Sequence, residues 1–247
     1  TTYADGQFRA EFSEIFHGSK KYDASGSDRI QIDIVDENDD QIDYRKFRTA
    51  WQNDNGKDRF RVIPLKMLED GKKTEAKMQI PVIYLGLSRL FPIGEANEDK
   101  ITTKKIKFID DEQKQWFVEQ YTQILSLYDT VTDVSNYSIG ETDKKKGVGI
   151  ETDKYDYLTN SSGQDNLGQI LMAILSFKRL KKQREEWTGG LLLIDEIDAT
   201  LHPAAQKRLI DLLTKEAKVN DIQVVVTTHS SDLLKHICNK TVHNNII

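Results

Sequence analysis

The sequence predicts an α/β fold that combines a parallel core sheet, an N-terminal antiparallel β region and a helical insert. Near the C-terminus, the apolar strands Gly190–Ile194 and Ile222–Val226 are each followed by an amphipathic helical pattern. Strands and helices that alternate in this way form parallel sheets with right-handed crossovers. The N-terminal third instead alternates apolar and polar residues over 29–35 and 60–65, which is typical of antiparallel strands with one buried face.

These patterns divide the chain into three parts. Residues 1–92 form the predicted β-rich part, which contains an acidic hairpin turn over 36–40 and ends with an apolar strand in 80–87. Residues 93–159 form the predicted insert, with a helix over 110–127 and polar, glycine-containing loops over 129–160. Residues 160–247 form the predicted core, with helices marked by apolar residues after Leu167 and after Pro203.

Composition excludes several classes of protein. The chain has 247 residues, a hydrophobic fraction of 38%, a net charge of -5 and one cysteine. No apolar run approaches the roughly 18 residues of a membrane span, and the first ten residues do not resemble a secretion signal. Without such segments we expect no membrane partner. The single cysteine cannot form an internal disulfide, which fits the cytoplasmic location that we expect. The negative charge argues against a surface that binds nucleic acid throughout, but it leaves room for a local basic patch.

Polar residues follow both C-terminal strands at the point where each strand ends. Asp195 and Glu196 follow the first strand, and His229 follows the second after two threonines. Functional groups gather at the carboxyl ends of parallel strands, so we expect these side chains to share one site. An apolar strand that ends in Asp-Glu is the Walker B arrangement of nucleotide-hydrolysing proteins. In that arrangement Asp195 would help to hold Mg²⁺, and Glu196 would orient the water that attacks the γ-phosphate. The alternative is that both carboxylates only cap the loop before the next helix.

Three motifs give the sequence a specific resemblance to a known family. Residues 191–203, Leu-Leu-Leu-Ile-Asp-Glu-Ile-Asp-Ala-Thr-Leu-His-Pro, resemble the Walker B motif and D-loop of ABC-type ATPases, and residues 224–230 resemble their His-switch. Residues 160–164, Asn-Ser-Ser-Gly-Gln, resemble the ABC signature loop. The Leu-His-Pro string and residues 84–89, Tyr-Leu-Gly-Leu-Ser-Arg, resemble the OLD and SMC/RecF-like (AAA_21-type) branch, which includes ATPase subunits of phage-defence systems such as Septu.

The resemblance implies a P-loop-type ABC ATPase head that binds ATP and Mg²⁺ as a homodimer. In such heads the signature loop of one subunit binds the γ-phosphate of the ATP held by the other subunit. The matching residues here are Ser161, Ser162, Gly163 and Gln164. At the start of a helix their hydroxyls and backbone N–H groups, together with the positive end of the helix dipole, bind an anion. The alternative is an ordinary helix cap.

The resemblance also assigns roles to two histidines. His229 would contact the γ-phosphate and the attacking water, so Glu196 and His229 would be the catalytic residues. A lone histidine more often has a structural role, but its place after a buried strand favours the functional one. His202 would either act across the dimer interface or cap the helix that begins at Pro203.

The chain lacks the phosphate-binding loop that such a head requires. No Gly-x-x-x-x-Gly-Lys-Ser/Thr string occurs in it. Near Gly56 the match fails, because Trp51 stands in place of the first glycine and Asp58 in place of the hydroxyl residue. In the resembled family the loop precedes a segment like 1–22, so we expect it upstream of Thr1. We therefore expect these 247 residues alone to hydrolyse little ATP.

Two classes of function fit these motifs. The first is ATP hydrolysis by a head-to-head dimer that drives or regulates a nucleic-acid-processing or anti-phage defence complex. For this class we expect a role in DNA repair or antiviral defence, with a nuclease or other effector subunit as the partner. The alternative is a nucleotide-dependent assembly module, a switch with little turnover. A nuclease in its own right lacks support, because no second acidic cluster stands in a catalytic context.

Overall fold

The described residues form two compact units. This computed structural model describes residues 18–36, 38–108, 110–140 and 146–239. Of these, 18–79 belong to one unit, the N-terminal unit, and the residues from 80 onwards belong to the other, the C-terminal unit. Both α-helices and β-strands are present, with parallel pairing in the second unit, so the predicted α/β class is confirmed. Within the described residues, no helix has an apolar stretch long enough to cross a bilayer.

The N-terminal unit is an antiparallel sheet in the strand order β1-β2-β3-β4. Its strands are β1 (Gly26–Val35), β2 (Gln41–Asp54), β3 (Lys57–Met67) and β4 (Lys73–Thr74). The amide of Asp36 donates to the carbonyl of Asp40 at 3.0 Å, which confirms the predicted hairpin turn. Asn55 and Gly56 connect β2 to β3 with φ angles of 50° and 80°. Two-residue hairpin loops favour this left-handed pair, so Gly56 belongs to a hairpin.

The buried face predicted for the first strand is wrong. Ile30 is 59% exposed and Ile32 is 47% exposed. β1 lies at the edge of the described sheet and pairs with β2 alone, so its side chains have strand neighbours on one side only. In β3, Ile63 and Pro64 are adjacent in sequence and both buried, so burial in this strand does not alternate either.

The C-terminal unit contains a parallel sheet in the strand order β10-β9-β5. Its strands are β5 (Val82–Leu85), β9 (Gly190–Ile194) and β10 (Ile222–Val226), which confirms the three strands predicted here. Helix α3 (Pro203–Asn220) connects β9 to β10, and α4 (Ser231–Cys238) follows β10. The predicted order of strand, helix, strand and helix is therefore confirmed.

Two further helices complete the core of this unit. They are α1 (Asp111–Leu125) and α2 (Ser162–Gln183), and both follow the predicted apolar pattern. Helix α2 packs against α1 and α3 and carries the largest share of the buried side chains. The fully buried side chains of α1 and α2 include Phe117, Tyr121, Leu167, Ile170, Leu171, Ile174, Leu175 and Phe177.

The loops predicted over 129–160 are wrong over half of that segment. The segment instead forms β7 (Val131–Ile139) and β8 (Lys146–Thr152), which with β6 (Ile101–Lys105) make an antiparallel sheet in the order β6-β7-β8. Gly147 and Gly149 do not mark turns: a β-carbon at either position would collide with Tyr137 or Tyr157. Glycine in these positions lets the strand approach its neighbours closely. The domain boundaries placed at 92 and 159 stay predictions.

Gly190 offers a test of the packing beneath the parallel sheet. A β-carbon there would lie 2.5 Å from Cε1 of Phe177, whose ring is fully buried, and 3.3 Å from the carbonyl oxygen of Pro81. We expect Gly190→Ala to lower the free energy of unfolding by about 1–3 kcal/mol, because the core has no room for the methyl group. Urea denaturation followed by circular dichroism measures the change.

Gly94→Ala is the matched control, because a β-carbon at Gly94 meets no atom within 4 Å. It should change the free energy of unfolding by less than about 1 kcal/mol. Equal effects of the two substitutions would contradict the packing described here.

Candidate functional site

The parallel pairing of β9 and β10 brings two polar segments together. Ile194 and Val226, the last residues of the two strands, are partners in register. The pairing continues past the strands, because the amide of Thr227 donates to the carbonyl of Ile194 at 3.1 Å and the amide of Ile197 donates to the carbonyl of Thr227 at 3.0 Å. The residues after both strands therefore lie side by side, as the sequence predicts.

Thr227 links the two carboxylate residues directly. Its hydroxyl donates to Oδ1 of Asp195 at 2.7 Å and accepts the backbone N–H of Glu196 at 2.8 Å. The sequence placed this threonine after the second strand but gave it no role. We call Asp195, Glu196, Thr227 and His229 the strand-end cluster.

Glu196 and His229 face each other across the two strand ends. Oε1 of Glu196 lies 3.9 Å from Nε2 of His229, and the two side chains are 38% and 86% exposed. Glu196 also has a φ angle of 48°, which is unusual for a residue with a side chain. Residues held in such conformations concentrate at functional sites, where the surrounding structure has to enforce them. The structure therefore brings Asp195, Glu196 and His229 to one solvent-accessible edge.

Asp198 is a further residue of the site that the sequence analysis did not single out. Its Oδ1 accepts the hydroxyl of Thr228 at 2.5 Å and the backbone N–H of His229 at 3.3 Å. One carboxylate after β9 thus holds the backbone after β10 in place. Asp198 lies within the motif that resembles a Walker B and D-loop, so that motif was the signal that could have identified it.

The residues predicted to bind the γ-phosphate form a complete helix cap. The Ser161 hydroxyl accepts the amide of Gln164 at 3.2 Å, and the Gln164 side chain accepts the amide of Ser161 at 2.8 Å, which together make a capping box. The amides of Ser162 and Gly163 are not used by this box. A β-carbon on Gly163 would collide with the carbonyl oxygen of Thr200, so glycine permits the close approach of α2 to the segment after β9.

His202 takes up the capping position that the sequence offered as one of two alternatives. Its Nδ1 accepts the amide of Ala204 at 3.3 Å and caps α3. Together with Ser161, Gly163 and Gln164 it lines a pocket of about 470 Å³. We call Ser161, Ser162, Gly163, Gln164 and His202 the helix-start cluster. Its pocket is lined also by Leu125, Ser126, Thr200, Leu201, Ala204, Ala205 and Arg208, and not by Asp195, Glu196 or His229.

The strand-end cluster suits a magnesium ion that arrives with a phosphate ligand. Among the described residues, no group of three or more His, Cys, Asp or Glu side chains is arranged to hold a metal by itself. Mg²⁺ commonly keeps several waters and binds one or two carboxylates plus substrate phosphates. Asp195, oriented by Thr227, fits this requirement as a single carboxylate ligand.

Comparison with known proteins identifies the family. The family model described as AAA ATPase domain matches residues 14–234, so the chain belongs to the AAA ATPase domain family. An uncharacterized protein of Methanocaldococcus jannaschii, MJECL11, is 44% identical over 46 residues, which are 19% of this chain and 40% of that protein. The chain thus matches less than half of the length of that relative.

Two solved structures of SMC heads are similar in outline. The SMC head domain from Thermotoga maritima has a TM-score of 0.34 and 11% identity, and the match covers 78% of this chain and 67% of that chain. The SMC head bound to the C-terminal winged-helix domain of ScpA has a TM-score of 0.37 and 17% identity, with coverage of 82% and 71%.

Thr227 provides a test of how the strand-end cluster is held. We expect Thr227→Val to lower the free energy of unfolding by about 0.5–1.5 kcal/mol, because it removes two hydrogen bonds at an exposed position. Thr227→Ser keeps the hydroxyl and should lose less than half as much. Chemical denaturation of the three proteins measures this, and equal losses for valine and serine would show that the hydroxyl bonds do not matter.

Proposed function

We propose that this chain forms part of an ATP-hydrolysing head, with the reaction taking place at the strand-end cluster. The observation that carries the proposal is the juxtaposition of Glu196 with His229 at 3.9 Å, beside an aspartate that Thr227 orients. Membership of the AAA ATPase domain family supports ATP as the substrate. The resemblance of residues 191–203 to a Walker B motif and D-loop supports the same assignment.

Each residue of the cluster has a distinct part in this proposal. Asp195 would hold the magnesium ion of the nucleotide, and the chemistry that such an ion supplies is neutralisation of phosphate charge. Glu196 accepts a hydrogen bond from the attacking water and orients it towards the γ-phosphate. His229 donates to an oxygen of the γ-phosphate from the neighbouring strand end. The hydroxyl of Thr227 binds Oδ1 of Asp195 and would orient this carboxylate for the metal.

A homodimer explains why the chain has two clusters. The amides of Ser162 and Gly163 lie at the positive end of α2, outside the capping box, and can bind a phosphate anion. The pocket of the helix-start cluster does not include Glu196 or His229. We therefore propose that the helix-start cluster of one subunit completes the strand-end cluster of its partner, with ATP between them and His202 close to the shared interface.

The head would drive or regulate an effector. The Leu-His-Pro string and the segment 84–89 resemble the OLD and SMC/RecF-like branch, and this supports a nuclease or other nucleic-acid-acting subunit as the partner. Anti-phage defence, as in Septu-like systems, and DNA repair are the settings that this resemblance favours. We propose a cytoplasmic location, in keeping with the single cysteine of the chain.

Glu196→Gln tests whether the cluster turns over ATP. In the whole natural protein we expect kcat to fall by about 10²-fold or more while ATP binding persists, because a neutral amide orients and polarises the attacking water less than the carboxylate does. ATP should then accumulate in a closed dimer, which size-exclusion chromatography detects. Glu185→Gln, a charge-matched change at an exposed position, should leave kcat unaltered.

The same variant separates the hydrolase from the switch. An assembly module that only binds nucleotide would keep its function in Glu196→Gln. If wild type and Glu196→Gln had the same low turnover and the same biological activity, the switch would replace the hydrolase.

A mixing experiment tests the shared site. Ser162→Ala removes the hydroxyl that we propose binds the γ-phosphate beside the backbone amides, and Glu196→Gln removes the carboxylate that acts on the water. Each should abolish most activity alone. In a symmetric dimer with composite sites, a mixed dimer has one site with both defects and one site with none, so a mixture should recover about one quarter of wild-type ATPase activity. Recovery is measured with a phosphate-release assay. If both residues act within one subunit, every site carries a defect and the mixture stays inactive.

A further inference from the structure

Arg89 is a buried cation that lies directly beneath the strand-end cluster. It is 3% exposed and belongs to a short 3-10 helix, Leu87–Leu90, that follows β5. Arginine is almost never buried unless its guanidinium is fully paired. The position therefore requires partners that the surrounding backbone and side chains have to supply.

The guanidinium donates to the ends of two neighbouring strands. Nη1 donates to the carbonyl oxygens of Leu85 at 3.0 Å and Gly86 at 2.9 Å, where β5 ends. Nη2 donates to the carbonyl oxygens of Asp195 at 2.6 Å and Glu196 at 3.0 Å, where β9 ends. One planar group thus holds the backbone of both acidic residues of the proposed site. A lysine could not reproduce this fork.

The remaining nitrogen extends the connection to helix α2. Nε of Arg89 donates to Oδ1 of Asn166 at 2.8 Å. The side-chain amide of Asn166 donates in turn to the carbonyl oxygen of Ala199 at 3.0 Å and contacts the Thr200 hydroxyl at 3.4 Å. The segment that follows Glu196 is therefore held from both sides, by Arg89 and by Asn166.

The backbone at this point needs such support. Glu196 and Thr200 have φ angles of 48° and 64°, both in the left-handed region. Non-glycine residues in that region cost free energy and persist where other contacts enforce them. Without the guanidinium, the carbonyl oxygens of Asp195 and Glu196 would also lose their charged donor, which is unfavourable. The oxygen of Glu196 would keep the amide of Ala199 at 3.1 Å, so the loss would be greater at Asp195.

We propose that Arg89 is a positioning residue that fixes the backbone of Asp195 and Glu196 and thereby sets where the Glu196 carboxylate stands. This rests on the proposed ATPase function for its kinetic consequence. Arg89 does not touch the nucleotide in this account. It acts through the carbonyl oxygens of Asp195 and Glu196. Its other hydrogen bonds connect the end of β9 to β5 and to α2.

The kinetic test uses Arg89→Lys in the whole natural protein. We expect kcat for ATP to fall at least about 10-fold while KM changes less than about 3-fold, because a small displacement of a catalytic group slows the reaction more than it weakens binding. Arg45→Lys is the matched control. Arg45 is also buried and donates to the carbonyl oxygens of Tyr44 and Ala76, but it lies in the N-terminal unit. It should leave kcat and KM as in wild type.

Hydrogen exchange provides a readout that does not depend on turnover. The amides of Asp195, Glu196 and Ile197 are all hydrogen-bonded, to Leu85 O, Thr227 Oγ1 and Thr227 O. In Arg89→Lys without nucleotide, amide exchange should become faster over 195–201 and stay as in wild type in α2 and α3. If that variant does not fold, Asn166→Ala removes the side chain that connects Arg89 to Ala199. It should give a smaller change in exchange over the same residues.

The outcomes separate this inference from the proposed function. If wild type hydrolyses no ATP, the ATPase proposal fails, and faster exchange confined to 195–201 still supports positioning by Arg89. Exchange over 195–201 that matches wild type overturns the inference, and so does an equal rise throughout the C-terminal unit. In an active protein, a kcat for Arg89→Lys within threefold of wild type also overturns it.

Discussion

The parallel register between β9 and β10 is the constraint on which the site depends. Because Ile194 pairs with Val226, the residues that follow each strand are brought within hydrogen-bond distance of one another. A shift of one residue would turn every side chain to the opposite face of the sheet. The contacts of Thr227 with Asp195 and Glu196, and of Asp198 with the segment before His229, exist only in the observed register.

The helix-start cluster shows how one set of residues serves structure and function together. Ser161 and Gln164 satisfy each other in a capping box, and His202 caps α3. For both sets of residues, the sequence left open a helix-capping role as the alternative to nucleotide binding, and the structure contains these caps. The cap also fixes the first turn of α2 and leaves the amides of Ser162 and Gly163 outside its own hydrogen bonds. Capping and the proposed anion binding therefore use different groups of the same helix end and are compatible.

The sequence predicted the parts of the fold that rest on long apolar patterns. The strand Gly190–Ile194 is a continuous apolar run and the helix after Pro203 has a regular amphipathic pattern, and both were placed correctly. The sheet formed by β6, β7 and β8 was missed, because its glycines resemble turn residues when their packing against Tyr137 and Tyr157 is unknown. The exposure of Ile30 was missed for a related reason, since an alternating pattern does not say whether the apolar face is covered.

The sequence predicted which residues gather at the candidate site, but not the residues that hold them in place. Asp195, Glu196 and His229 follow apolar strands, and a local rule finds them. Arg89 and Asn166 lie 77 positions apart in sequence and meet only in the folded chain. Their part is therefore a property of tertiary structure, which the pattern around either residue does not reveal.

The most direct test of the central claim is a structure of the whole natural protein with Mg²⁺ and a non-hydrolysable ATP analogue. We expect the γ-phosphate within hydrogen-bond distance of His229, the metal beside Asp195, and a water between Glu196 and the γ-phosphate. We also expect Ser162 and Gly163 of a second subunit against the same phosphate. A nucleotide bound away from the ends of β9 and β10 would contradict this expectation.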